Sequence, residues 1–141
     1  MSVYKIPLPW GAPPLTANHR LHFREEAKRT AAIRRAAREG AVAQRIPAMT
    51  RPTVTLVWLV ETRHRRDADN LVPTLKALAD GLVDARVTAD DTPEAMHKPM
   101  PIIAYAKGHP AAPGMTLLLW ESDGPTAEEE RALAALEVNL A

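Results

Sequence analysis

Residues 53–63, TVTLVWLVETR, constrain this chain more than any other stretch. The run is apolar and β-branched almost without interruption, the composition of a largely buried central strand. It leads through HRRDADN into LVPTLKALADGLVDA, where Leu71, Val72, Leu75, Leu78, Ala79 and Leu82 recur at helical spacing. Pro73 suits the first turn of that helix, where backbone donors have no intrahelical acceptor. A buried strand followed by an amphipathic helix implies helices layered on a sheet.

The remaining elements extend that plan. Residues 3–8 read as a first strand, ended by the proline-rich PLPWGAPPLTAN, with Asn18 as a candidate cap for a first helix. Residues 21–44 are rich in Ala, Arg, Glu and Lys and predict that helix to be long. Arg20, Arg24, Lys28, Arg35 and Arg38 fall within an arc of about 80° on it, with Phe23, Ala27, Ile33, Ala37 and Ala41 broadly opposite. Residues 101–107 and 115–121 read as two strands joined by GHPAAPG, an antiparallel hairpin. In the tail, Thr126 and Glu129 have the spacing of a capping box, and Leu133, Leu136 and Leu140 offer a packing face. The order β-α-β-α-β-β with an added C-terminal helix predicts an α+β domain with a small mixed sheet.

Charge separates the two halves. Residues 1–66 carry 13 Lys+Arg against 4 Asp+Glu, whereas residues 67–141 carry 5 against 13. Such a chain offers a polyanion a basic surface beside a carboxylate cluster, or else pairs its two halves on folding. There is no cysteine, so disulfides and thiolate chemistry are excluded. No apolar run is long enough for a bilayer, and MSVYKIPLPW lacks the apolar core of a secretory signal; a cytoplasmic protein without a membrane partner is the expectation.

Candidate chemistry centres on RRDADN, residues 65–70. Asp69, Pro73, Lys76 and Asp80 project within about 60° of one another on the helix face away from the leucines. Asp67 precedes the helix, and Asp90 and Asp91 follow it in a turn-rich loop able to fold back. Clustered carboxylates repel one another and suit a hard cation such as Mg²⁺ or Mn²⁺, which polarises a phosphodiester and acidifies an attacking water. Lys76 is placed to stabilise charge developing on phosphate, and Arg63, Arg65 and Arg66 to hold flanking phosphates. Asp67 or Asp69 alone reads more readily as a helix cap, and it is the set with Asn70, Lys76 and the later Asp pair that points to a metal. A calcium loop is excluded, since Val72 and Leu78 stand where it needs Gly and Glu. His19, His22, His64, His97 and His109 contain no His-x-x-x-His pair, which leaves zinc without support.

RRDADN, then Lys76 with Asp80, then Asp90-Asp91, resembles the RusA-type Holliday-junction resolvases of bacteria and phages. The early Pro-Pro loop with Asn18, the basic helix and the order of strands agree over residues 1–121, with residues 122–141 as a C-terminal helical extension. The resemblance implies a homodimer that nicks branched DNA with Mg²⁺, Mn²⁺ substituting. It implies Asp67, Asp69 and Asp91 as essential carboxylates with Asp90 in reserve, and Lys76 as the essential lysine. Asn70 belongs to the motif; with Arg63, Arg65, Arg66 and the basic helix face it would contact DNA. The alternatives are a branched-DNA-binding protein that does not cut, and a metal-dependent phosphohydrolase of small substrates.

Overall fold

The computed structural model describes residues 2–122 and 124–138. The apolar run forms β2 (Pro52–Val60), whose first five residues are all buried. It lies in a four-stranded mixed sheet with β1 (Tyr4–Pro7), β3 (Ile102–Tyr105) and β4 (Gly114–Glu121), in the order β1-β4-β2-β3. β4 runs antiparallel to both β1 and β2, whereas β3 is parallel to β2. Parallel neighbours require a crossover, and α2 (Val72–Asp84) supplies it.

The expected 101–107/115–121 hairpin is therefore absent. The two strands occupy opposite sides of β2, and residues 106–113 cross its end. Skipping one strand spans only about 10 Å, which a short loop covers. Two nearby apolar runs read as a hairpin because composition carries no strand direction.

The long helix, α1 (Phe23–Ala43), packs on α2 through Ile33, Ala37 and Ala41. A Cβ on Gly81 of α2 would collide with the Arg34 carbonyl oxygen, so the two backbones meet where only glycine fits. The first two turns of α1 bury nothing: Phe23 is 70% exposed and Ala27 is also exposed, contrary to the packing face expected for them. His22 rather than Asn18 caps α1, its Nδ1 accepting from the Arg24 amide at 3.2 Å. Arg20 consequently lies outside the helix.

Thr126 and Glu129 close their capping box at the start of α3 (Ala127–Ala135), which has no buried residue. Leu133 is half-buried, Leu136 is 75% exposed, and Leu140 lies outside the described residues. Within the described residues, no helix is long and apolar enough to cross a membrane. The whole is one α+β domain, its core formed between the sheet and the α1–α2 pair.

Candidate functional site

The carboxyl ends of β2 and β3 meet at one edge of the sheet, where Val60 pairs with Tyr105. In open sheets with parallel strands this edge is where ligands bind. The chain leaves it through residues 61–67 and enters a 3₁₀ turn (Ala68–Leu71) before α2. Asp67 stands at the cap position of that turn without any side-chain cap bond, and α2 has none either. Neither Asp67 nor Asp69 joins an ion pair among the described residues, and both are exposed. Helix capping, the plain alternative for these aspartates, is not their role here. Asn70 acts through its backbone, its carbonyl accepting from Ala17 at 3.3 Å and its amide donating to Asp67 at 3.1 Å. One turn later, buried Thr74 donates to the Leu15 carbonyl at 2.7 Å, fixing the proline-rich loop against α2.

The loop after α2 does return to the helix. Lys76 Nζ lies 2.6 Å from Asp91 Oδ2 and 3.0 Å from Asp80 Oδ1. Lys98, which no sequence pattern singles out, approaches the same Asp91 oxygen at 3.5 Å. The hydrogen bond from Lys76, aided by the charge of Lys98, pulls the Asp91 carboxyl down to about 2 against the opposing effect of burial. In return Asp91 and then Asp80 raise the Lys76 ammonium. Asp90 stays exposed, its Oδ1 accepting from the Asp91 amide at 2.8 Å. Beside this network Val72, Leu75, Met100 and two prolines wall a cavity of about 200 Å³. An apolar wall on one side strengthens the charge pairs by lowering the local dielectric.

Four carboxylates converging on one point are not what the structure presents. Among the described residues no three His, Asp or Glu side chains form a group able to hold a metal ion. Seven residues of rise separate Asp69 from Lys76, roughly 10 Å along the axis, so the aspartates fall into two sets. One is Asp67 and Asp69 at the sheet edge; the other is Asp80 and Asp91 around Lys76, with Asp90 adjoining in the loop. The donors nonetheless suit Mg²⁺ or Mn²⁺ in kind, being carboxylate oxygens only, and two of them are uncommitted.

The arginines divide similarly. Arg63 stacks on the Tyr105 ring, 3.9 Å from its centroid, and Arg66 lies 5.2 Å from that of Trp58. Arg66 is also spent on its own loop, Nη1 donating to the Thr62 and His64 carbonyls and Nη2 to Thr62 Oγ1 at 2.7 Å. That leaves it fewer donors for a phosphate than the sequence suggests, while Arg65 is exposed. Neither stacking partner is visible in the sequence: Tyr105 requires the ends of β2 and β3 to be brought together, and Trp58 requires the loop after β2 to fold back on its own strand.

On α1 the two halves of the chain pair only in part. Arg34 forks Asp84, with Nη2 to Oδ1 at 2.7 Å, and this holds the Asp84 carboxyl down. Arg20, Arg24, Lys28, Arg35 and Arg38 are exposed and join no ion pair among the described residues. No protein-family model matches the chain, and no curated protein matches it.

Proposed function

We propose that this chain is a metal-dependent endodeoxyribonuclease that nicks four-way or otherwise branched DNA as a homodimer. The contact of Lys76 with Asp91 carries the reading, because it returns the later loop to α2, the helix that follows Asp67 and Asp69. Asp67 and Asp69 would hold Mg²⁺, or Mn²⁺ in its place, and Asp91, with Asp90 beside it, would have to close on them across about 10 Å of helix to serve as the third carboxylate. When bound, the ion polarises the scissile phosphodiester and acidifies the attacking water. Lys76, 57% exposed on a flexible stem, reorients at little cost from Asp91 toward charge developing on the phosphate. Arg63 and Arg65 hold flanking phosphates at the sheet edge, and Arg24, Lys28, Arg35 and Arg38 supply a sequence-independent grip. A two-fold dimer sets two identical sites on opposing strands of a junction with the same symmetry.

One observation favours a second reading. Asp91 already has two ammonium groups as counter-ions, an arrangement that also serves a junction-binding protein that does not cut. Incubation of a synthetic four-way junction and a linear duplex in Mg²⁺, Mn²⁺ or EDTA separates the two. The nuclease reading expects nicks in the junction with either metal and none in EDTA. Junction binding without nicks in any condition establishes the non-cutting reading instead.

A further inference from the structure

Arg51 immediately precedes the central strand and ties together three separate segments. Its Nε donates to the Pro93 carbonyl at 2.8 Å and its Nη1 to the Gly124 carbonyl at 3.1 Å. Nη1 and Nη2 also fork the Glu129 carboxylate at 3.0 and 2.9 Å, with the Arg51 side chain only 13% exposed. Charge-assisted bidentate bonds of this kind are among the strongest polar contacts a protein makes. The Glu129 carboxyl falls to about 2, chiefly through the bond to Arg51. Glu129 Oε1 also lies 3.4 Å from His97 Nδ1.

Pro93 and His97 bracket the turn that succeeds Asp91. Inside that turn the Ala95 and Met96 amides both donate to the Thr92 carbonyl at 2.9 Å. At its far end the His97 amide donates to Pro52 at 2.9 Å, and the His97 carbonyl accepts from Val54 at 2.8 Å. The next residue, Lys98, reaches back to Asp91. Residues 89–95 contribute nothing fully buried, and between the buried anchors Val87 and Met96 polar contacts supply the rest of what places Asp90 and Asp91. Since α3 itself buries no residue, the Glu129 carboxylate is, among the described residues, the main polar tie between that helix and the rest of the domain.

We infer that α3 is a brace for the loop bearing Asp90 and Asp91, with Glu129 as a positioning residue acting through Arg51 on Pro93 and through His97. This gives the C-terminal helix a role in the site although it contributes no residue to it. The brace stands on geometry alone; only its consequence for cutting rests on the proposed nuclease activity.

Hydrogen exchange on the full chain tests it, with Glu129→Ala, Glu129→Gln and Thr126→Ala compared to the parent. Thr126→Ala weakens the cap of α3 but leaves the Arg51 fork intact. Losing one charge-assisted fork should speed exchange of residues 92–98 about tenfold in Glu129→Ala. A smaller rise is expected in Glu129→Gln, and none in that segment for Thr126→Ala. On a junction substrate, Glu129→Ala should lower kcat with KM unchanged. Unaltered exchange of residues 92–98 in Glu129→Ala overturns the brace, as does equal acceleration by Thr126→Ala. If the parent cuts no junction, the nuclease reading fails while the exchange result still decides the brace.

Discussion

The turn at Asp67–Asn70 and the loop at Asp90–Lys98 both carry aspartates, and the fold treats them in opposite ways. Asp67 and Asp69 are exposed, cap nothing and pair with nothing among the described residues. Asp91 is held by Lys76 and Lys98, and its loop is tied down through Arg51. An uncommitted carboxylate pair at a sheet edge adds little to stability, so its substitution should be read mainly in function. A carboxylate tied to two lysines contributes to both. Functional and structural loss should therefore separate at the first region and coincide at the second.

Substituting Lys76 strains this contrast most. Lys76→Met removes the cation placed to meet developing phosphate charge, and a loss of roughly 100-fold in kcat is expected on a junction substrate. The same change frees Asp91, so Mn²⁺ affinity by calorimetry should rise by about threefold. Unchanged cleavage together with unchanged Mn²⁺ binding would show that the Lys76–Asp91 contact is only a surface ion pair.

A smaller effect is expected for Asp91→Asn in the absence of metal. Because Lys76 is largely exposed, the pair is worth at most about 1 kcal/mol, which chemical denaturation resolves. Its pH dependence has a definite sign. The Asp91 carboxyl is depressed from 3.8 to about 2, so its stabilising contribution is complete above pH 4 and is lost as pH falls through 2. Between pH 4 and 2 the parent should lose stability more steeply than Asp91→Asn. Parallel curves would place the Asp91 pairing outside the folded-state energetics.

Arg63→Ala should act most weakly. One lost phosphate contact lowers the slope of log K against log[salt] by about 1 for junction binding. A greater loss accompanied by lower thermal stability would mean that stacking on Tyr105 matters more than the phosphate.

The same contrast explains which features the residues reveal by themselves. Period and composition locate β2, α2 and the buried face of the second half of α1 (Ile33, Ala37 and Ala41), because burial imposes them residue by residue. Strand direction is not encoded that way, so β3 and β4 look like a hairpin in sequence, whereas the crossover through α2 sets them on either side of β2. At the site, helical projection puts Lys76 and Asp80 on one face, and they do meet at 3.0 Å. The return of Asp91 to that face is allowed by the turn-rich loop but not dictated by it. Tyr105 and Arg51 escape a reading of the sequence because their partners lie on a neighbouring strand's loop or in α3, and Lys98 because its contact with Asp91 depends on how the irregular loop turns back.

Asp69→Asn, followed by cleavage, junction binding and thermal denaturation of one preparation, tests the account most directly. Loss of one negative charge near phosphates should leave junction affinity equal or higher, and with no cap or ion pair broken the melting temperature should stay within about 1 °C. Cleavage in Mg²⁺ should fall at least 100-fold. Full cleavage by Asp69→Asn, or a melting temperature lowered by several degrees, would contradict the claim that this aspartate is kept for chemistry rather than for the fold.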